Sequence, residues 1–198
     1  MEDTRRILME ATFKQIYQFG YKGTSLDMIL DSCNLTKGAL YHHFKSKKSV
    51  TLEALEVILR KFFDVYWVQP IEKTDTPYDT LIDRIDKFAH AEVFDHAFIS
   101  VKHGCLLNNL IQEMAPIDED FSTLLLTLYT IFEDSILKAL TKAQEYGEIR
   151  DDVNVKDAAV FVTASVEACI TTARLRGNLK SYSLCTHQLK FYLRSLRP

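Results

Sequence analysis

The sequence predicts an all-α protein. Apolar residues recur at helical spacings along almost the whole chain, and no stretch shows the alternation of a half-buried strand. Gly20, Gly147 and Gly177 stand where these periodic segments stop, as glycine does at helix C-termini. These breaks predict about nine helices, three of them in an N-terminal unit (residues 1–50) and the others in a C-terminal domain (residues 51–198).

The N-terminal unit begins with a helix over residues 3–19, whose apolar face is expected to support the two helices after it. A second helix is predicted over residues 25–33. Thr24 or Ser25 can cap this helix, and Asp27 stands three residues after the first of them, where it closes a capping box.

A third, short helix follows a tight turn. Asn34 stands in the turn, and Asn tolerates the left-handed backbone conformation better than most residues do. Thr36 is the predicted cap of the helix Lys37–His43, in which Leu40 faces the core together with Phe44. Two helices joined by a turn of this length present the second helix to the major groove of DNA.

The composition of the third helix also favours DNA. Gly38 and Ala39 leave little side-chain bulk between the backbone and a partner. A lysine, a tyrosine and two histidines can contact phosphate. The candidate DNA contacts are Thr24, Ser25, Thr36, Lys37, Gly38, Ala39, Tyr41, His42, His43 and Lys47. On spacing alone, a solvated helical turn in any small bundle is the alternative.

Residues 7–52 resemble the DNA-binding domain of the TetR family of bacterial transcriptional regulators. The matching residues are Ala11, Ile16, Gly20-Tyr21, Thr24-Ser25, Met28-Ile29, Leu35–Tyr41, His43-Phe44 and Ser46–Lys48. Asn34 stands where the family usually has Gly, and Val50 replaces a frequent Leu. The resemblance implies an all-helical homodimer that represses transcription and releases a pseudo-palindromic DNA operator when a small molecule binds the C-terminal domain.

The C-terminal domain is predicted to be helical throughout. Its helices are predicted over residues 46–68, 78–95, about 105–115, 118–146, 155–176 and 182–196. Pro70 is expected to stop the first of them, before a polar linker over Glu72–Pro77. That first helix begins beside the DNA contacts and ends among the aromatic residues of the next domain, so it is expected to link the two.

Charge is divided unevenly between the two parts. Residues 1–50 carry eight Lys and Arg against five Asp and Glu, whereas residues 51–198 carry sixteen against twenty-two. A basic head places positive potential where the DNA-reading helices lie. There is no apolar signal core, no run of ~18 uninterrupted apolar residues and no C-x-x-C motif, so we expect a cytoplasmic protein with reduced thiols and no membrane partner.

The helix over residues 155–176 carries apolar or small side chains nearly all round, which indicates burial on more than one side. In a monomer such a helix is core. In a chain with this resemblance it is expected to pack against its twin, with residues 182–196, in a four-helix dimer interface. The predicted interface residues are Phe161, Val166, Cys169, Ile170, Ala173, Leu189 and Tyr192.

The resemblance further implies a hollow domain that binds a small-molecule effector of unknown identity. Aromatic residues at helical spacing are more often plain core, so the polar residues among them are the more informative. The candidate effector contacts are Phe62, Tyr66, Phe88, Cys105, Asn108, Tyr129, Phe132, Glu133 and Glu167.

Cys105 is the most informative single residue among these. It follows Gly104 at a predicted helix start, with Lys102 and His103 before it, and this setting favours the thiolate. The Gly-Cys-Leu run also resembles the same region in TetR-type regulators that respond to electrophiles or oxidants. The alternatives are a small buried core residue and, on weaker grounds, a metal site made with His96 and His103.

Motifs of enzymes are missing from the sequence. It contains no nucleophile elbow, P-loop, zinc-protease motif or glycine-rich dinucleotide motif, so no catalytic residue and no cofactor is predicted. A helical adaptor or ligand-binding protein without DNA binding is the remaining alternative, and it leaves Lys37–His43 without a role. We therefore predict a sequence-specific DNA-binding transcriptional regulator, a repressor that a small-molecule effector releases.

Overall fold

The structure, a computed structural model, describes residues 2–87 and 99–198. Backbone packing divides the chain into two compact units. The first unit comprises Met1–Lys61 and Leu106–Leu128, and the second comprises Phe62–Cys105 and Tyr129–Pro198. The predicted division after residue 50 separates a DNA-binding part from an effector-binding part, and it stays a prediction. The division by packing differs, because the first unit also includes a segment from the middle of the chain.

The first unit is built on α1 (Glu2–Gly23), α2 (Leu26–Cys33) and α3 (Lys37–His43). The helical backbone of α1 is interrupted at Gly20, which has φ 76° and ψ 170°. A positive φ is accessible to glycine at little cost, and the break confirms the predicted end of the first helix. The buried residues around which the three helices pack are Leu8, Leu30, Leu40, Phe44 and Val50.

Local hydrogen bonds fix the ends of α2 and α3. The Ser25 hydroxyl oxygen accepts from the backbone N–H three residues later at 3.1 Å, and the Thr36 hydroxyl oxygen does the same at 3.2 Å. Asn34 adopts the left-handed conformation, with φ 54°. The cap of α3 and the backbone of the turn are thus as predicted, and Ser25 rather than Thr24 caps α2.

The next helical stretch continues past the residue that was predicted to stop it. α4 (Lys47–Phe63) passes through a π-helical turn (Asp64–Val68) into α5 (Gln69–Glu72). Pro70 is the second residue of α5, directly after the π-helical turn. A π-helical turn replaces the regular i to i−4 bonding that a proline would interrupt. The expected stop at Pro70 is therefore wrong.

Five further helices belong to the described part of the chain. They are α6 (Pro77–Lys87), α7 (Leu106–Glu113), α8 (Glu119–Glu145), α9 (Val155–Arg176) and α10 (Leu179–Ser195). The bounds of α9 are the predicted ones, whereas α10 begins earlier because Asn178 caps it. With residues 47–72 counted as one stretch, the described part holds nine helices, as predicted. The predicted helix 78–95 continues beyond the described residues.

A short hairpin interrupts the helices of the second unit. β1 (Ile99–Ser100) pairs antiparallel with β2 (Gly104–Cys105). No strand was predicted here, because two-residue strands are too short to show an alternating pattern. The hairpin places Cys105 at the end of a strand, directly before the first residue of α7.

α9 is the central helix of the second unit. By length and composition alone it is apolar enough to cross a membrane, but half of that apolar window is buried inside the chain. It packs mainly against α10 and β2. These contacts are typical of a core helix, and they bring its polar residue Glu167 next to the hairpin.

Candidate nucleic-acid interface and effector site

α3 has one buried face and one exposed face. Leu40 is fully buried and Phe44 nearly so, which confirms the predicted core pair. On the other face Lys37, Tyr41 and His42 are exposed, and Tyr41 keeps 57% of its surface in solvent. A basic and aromatic helix face is therefore available to a partner.

Gly38 is not required by the packing of this chain. A Cβ atom built there would meet nothing closer than the Thr36 Oγ1 atom at 3.7 Å, an ordinary contact. The residue lies inside α3 without a positive φ, so neither space nor backbone conformation calls for glycine. The bare backbone of Gly38 is instead accessible from outside, as close approach to DNA requires.

Lys37 is held by an exposed ion pair. Its Nζ atom lies 2.9 Å from Asp27 Oδ1, and both side chains are largely in solvent. The hydrogen bond from Lys37 to Asp27 raises the pKa of Lys37, so the amine stays charged. Exposed pairs of this kind contribute little free energy, and a DNA phosphate can therefore replace Asp27.

Two of the predicted DNA contacts face inward. Thr24 is buried, and its hydroxyl donates to the Gly20 carbonyl oxygen at 2.7 Å. Lys47 Nζ donates to the carbonyl oxygens of Tyr21 and Thr24 at 2.9 and 2.8 Å. Burial lowers the pKa of Lys47. Both assignments are corrected: these side chains stabilise the corner between α1 and α2, because the break at Gly20 leaves carbonyl groups that need donors.

The remaining candidates are better placed. Ser25 and Thr36 are exposed, and a capping hydroxyl that accepts from an amide still has its own proton to donate. Partial burial and the neighbouring charges of His42 and Arg5 lower the pKa of His43. A neutral His43 imidazole offers a hydrogen bond and no charge.

Lys45 is a cation that sequence reasoning missed. It is exposed in the turn after α3, and among the described residues it has no ion-pair partner. Lys48, in contrast, lies 2.7 Å from both Asp118 and Asp120, which raise the pKa of Lys48. Three lysines lie within four residues after Phe44. This cluster could have pointed to Lys45, because lysines so close together at the start of a helix project in different directions.

The Glu113 carboxylate fixes the end of α1 from α7. Its Oε2 atom accepts from the Tyr21 amide at 2.9 Å, and its Oε1 atom accepts from the Lys22 amide at 2.7 Å. A Cβ atom at Gly20 would lie 2.8 Å from Oε2. Glycine is therefore required there, and the residues that lead into α2 are held by a carboxylate far along the chain.

Two effector candidates contact each other inside the second unit. The Cys105 thiol donates to Glu167 Oε1, with the sulfur 3.3 Å from the oxygen, and both residues are buried. Glu167 Oε2 is also buried and has no hydrogen-bond partner among the described residues. Burial raises the pKa of Glu167 to about 7, although the bond from Cys105 opposes the effect. The carboxyl group therefore changes its charge near neutral pH.

Other acidic groups face this pair. Burial raises the pKa of Tyr129 on α8, and the charges of Glu167 and Glu133 add to the effect. Tyr182 on α10, which sequence reasoning missed, also lies near Glu167, and burial above all raises the pKa of its phenol. Acids from three helices and a strand thus meet at one place in the second unit.

Three of the aromatic candidates make ring contacts in the second unit. The rings of Phe62 and Tyr66 stack with centroids 5.6 Å apart, and Phe132 lies 4.6 Å from Trp67. Trp67 was missed because the π-helical turn breaks the helical spacing at that point. Phe132 and Trp67 are almost fully buried, so they belong to the core.

Phe88 and Asn108 are the remaining effector candidates. Phe88 lies outside the described residues, and Asn108 lies on α7 in the first unit. The alternative metal site included His96, which is also outside the described residues. Within the described ranges, no three His, Cys, Asp or Glu side chains form a group that could hold a metal ion.

Several predicted dimer residues belong to the core of the second unit. Val166, Ile170 and Ala173 are at most 1% exposed, so other parts of the same chain cover them. The apolar pattern of α9 indicated burial on several sides but not which sides the chain itself covers. The assignment of these three residues to the dimer interface is therefore corrected.

The other four predicted interface residues line one groove. This groove of about 460 Å³ lies between α9 and α10, and it includes Phe161, Cys169, Leu189 and Tyr192. The Phe161 and Tyr192 rings are 4.7 Å apart. Phe161 and the neighbouring Leu184 each expose about half of their surface. An open apolar groove on two adjacent helices is typical of a protein–protein interface.

Two family models match the chain. The model described as "Bacterial regulatory proteins, tetR family" matches residues 8–54, and "Tetracyclin repressor-like, C-terminal domain" matches residues 83–189, more than half of the chain. The chain is 28% identical over 141 residues to an uncharacterized HTH-type transcriptional regulator of Lactococcus lactis, covering 71% of this chain and 70% of that protein. It is 23% identical over 181 residues to the HTH-type transcriptional repressor DhaR of a Mycobacterium species. That match covers 88% of this chain and 84% of DhaR.

Solved structures share the fold. A TetR-family transcriptional regulator from Cytophaga hutchinsonii matches with a TM-score of 0.87 at 21% identity, over 98% of this chain and 95% of that chain. The reduced form of Escherichia coli NemR matches with a TM-score of 0.83 at 17% identity, over 99% and 97%. At these identities the likeness concerns the fold.

Proposed function

The chain belongs to the TetR family of bacterial transcriptional regulators, and we propose that it acts as a homodimeric repressor which a small-molecule effector releases from a pseudo-palindromic operator. DNA binding and transcription regulation are the functions of this family, and relatives such as DhaR and AcnR carry the name repressor. We propose the same role for this chain, without enzymatic activity, in the bacterial cytoplasm.

The exposed face of α3 carries this proposal. Tyr41 is exposed, Lys37 is held only by a surface ion pair, and Gly38 leaves its backbone open although packing does not demand glycine. Lys45 adds a cation directly after the helix. Such a face suits the major groove, where short side chains and free amides meet base edges and phosphates.

A dimer is proposed because one seven-residue helix reads few base pairs. Two copies related by a twofold axis place two such helices in successive major grooves, about 34–36 Å apart. The apolar groove between α9 and α10 is the surface we assign to that contact, with Phe161 and Leu184 as its most exposed apolar residues.

The effector is proposed to bind in the second unit, near Cys105 and Glu167. An effector shifts the protein away from DNA only if it binds the DNA-incompetent state more tightly than the competent one. A buried carboxyl group with an unused oxygen provides a specific interaction that can differ between two states. A reactive Cys105 thiol remains a proposal for effectors that are electrophiles.

The proposal is tested by selection of binding sites from random duplex DNA, followed by fluorescence anisotropy at several salt concentrations. We expect a pseudo-palindromic site, and about tenfold weaker binding for Lys37→Ala and Tyr41→Ala, since each removes a contact worth on the order of 1–3 kcal/mol. Lys156→Ala on α9 is the matched control and should bind as the unaltered protein does. If no sequence is enriched over the random pool, the proposal fails.

A further inference from the structure

We propose that Glu167 anchors an effector that carries a protonated primary or secondary amine, which donates a hydrogen bond to the free Oε2 atom of the buried carboxyl group. This inference rests on the proposed function and names the chemical class of its effector. The two carboxyl oxygens of Glu167 differ in their hydrogen bonding. Oε1 accepts from the Cys105 thiol, whereas Oε2 accepts from no described residue.

An unpaired buried oxygen of this kind is costly. Nearly all buried polar groups in proteins have a hydrogen-bond partner, because a buried charged acceptor without a donor lowers stability. Glu167 is a buried residue of α9, and its Oε1 atom is bonded to Cys105 of β2. Because no described residue supplies the donor, we assign that role to a molecule that enters the second unit.

The surroundings of Glu167 select the charge of that molecule. The titratable groups that interact with it are the Cys105 thiol from β2, Tyr129 from α8 and Tyr182 from α10. The charges of Glu133 and Cys169 act in turn on Tyr129 and Tyr182. All five are acids, and Glu167 takes part in no ion pair within the described ranges. A buried carboxylate among acids favours a cation and repels an anion.

The hydrogen-bond geometry narrows the class further. A quaternary ammonium has no N–H and cannot satisfy Oε2, whereas a protonated primary or secondary amine offers both charge and donor. Tyr129 and Tyr182 lie close enough to Glu167 for its charge to influence their ionisation, so we include an aromatic ring in the probe. An arylalkyl ammonium combines these features and serves as the probe.

The experiment compares three probes that differ only at nitrogen or oxygen: phenethylammonium, its N,N,N-trimethyl derivative and the neutral phenethyl alcohol. The melting temperature and the dissociation of a labelled operator are measured for the unaltered protein and for Glu167→Gln, which keeps the shape of the side chain. Phenethylammonium should raise the melting temperature and release the operator, with at least tenfold higher affinity than either analogue. Glu167→Gln should lose this preference.

Two further measurements test whether the response depends on the Glu167 carboxylate itself. Cys105→Ser removes the thiol but keeps a hydroxyl donor for Oε1, so it should retain the preference for phenethylammonium over the two analogues; loss of that preference would count against the carboxylate as the anchor. Binding should tighten by about tenfold from pH 6 to pH 8 as Glu167 ionises, and this pH dependence should vanish in Glu167→Gln. The same measurements on Lys156→Ala provide the control for surface charge.

The inference is overturned if phenethylammonium does not shift the melting temperature, if the neutral alcohol binds as tightly, or if Glu167→Gln responds as the unaltered protein does. Failure to bind any operator in the absence of probe counts against the proposed function alone. The melting temperature does not depend on DNA, so it tests the Glu167 site independently.

Discussion

Lys47 Nζ donates a hydrogen bond to the carbonyl oxygen of Thr24 at 2.8 Å. A second bond from the same ammonium reaches Tyr21, so this lysine closes the corner before α2. Lys47→Met should lower the free energy of unfolding by about 1–3 kcal/mol, because two carbonyl groups lose a charged donor. Urea denaturation measures this loss, and the salt dependence of operator binding by the folded fraction should stay unchanged.

Lys45→Ala should behave in the opposite way. The side chain is exposed in the turn after α3, so the free energy of unfolding should change by less than about 0.5 kcal/mol. The slope of log affinity against log salt should fall by about 0.9, the value for one phosphate contact. The assignment of the two lysines is reversed if Lys47→Met, and not Lys45→Ala, reduces that slope.

Gly38→Ala should separate stability from DNA binding. The substitution fills open space in a helix, so we expect a gain of about 0.5–1 kcal/mol in the free energy of unfolding. Operator affinity should fall at least tenfold, because a methyl group then stands between the backbone and DNA. Gly23→Ala is the matched control: its Cβ atom would meet only Phe19 Cβ at 3.6 Å. An operator affinity of Gly38→Ala equal to that of the control would contradict the interface.

Leu184→Glu should dissociate the proposed dimer. The residue is exposed and lines the groove between α9 and α10, so a second copy would have to bury an unpaired carboxylate, at about 3–5 kcal/mol. Size-exclusion chromatography with light scattering should show a folded monomer with weak operator binding. His187→Glu, exposed on the same helix but outside the groove, should remain dimeric. A dimeric Leu184→Glu would place the interface elsewhere.

Glu167→Gln should change how stability depends on pH. Burial raises the pKa of Glu167 from 4.5 to about 7, so folding favours the neutral form. Its contribution to stability is complete below pH 4.5 and is lost as pH rises through 7, a difference on the order of 3 kcal/mol. Glu167→Gln should therefore be more stable than the unaltered protein at pH 8 and similar at pH 5. Melting curves at both pH values test this, and an equal gain at both would show that ionisation is not the cause.

Helix ends could be predicted from sequence wherever one residue sets them by its own chemistry. Thr36 caps α3 because a hydroxyl at that position reaches a free amide, and Asn34 turns the chain because its backbone tolerates a positive φ. Pro70 was misjudged for a related reason. A proline stops a regular α-helix, but the sequence carries no sign that a π-helical turn precedes this one.

Side-chain direction could not be predicted in the same way. Lys47 turns inward because Gly20 breaks α1 and exposes carbonyl groups 23 residues or more before it, a contact that exists only after folding. Ile170 is apolar on an apolar helix, and the helical period shows that it is buried without showing which chain buries it. The hydrogen bond between Cys105 and Glu167 joins residues 62 positions apart. The sequence therefore predicted each of them as an effector contact but not the contact between them.

The carboxylate of Glu113 accepts from the backbone amides of Tyr21 and Lys22 and does not contact their side chains through these bonds. It therefore limits substitution at positions 20 and 22 to different degrees. Position 20 should accept only glycine, because any Cβ atom meets Oε2 at 2.8 Å and the backbone has a positive φ. Lys22 is exposed and supplies only its N–H, so that position should tolerate every residue except proline. In a saturation library, two sites separated by a single residue would therefore show opposite tolerance to substitution, and the invariant glycine would be matched by an acidic residue more than ninety positions away.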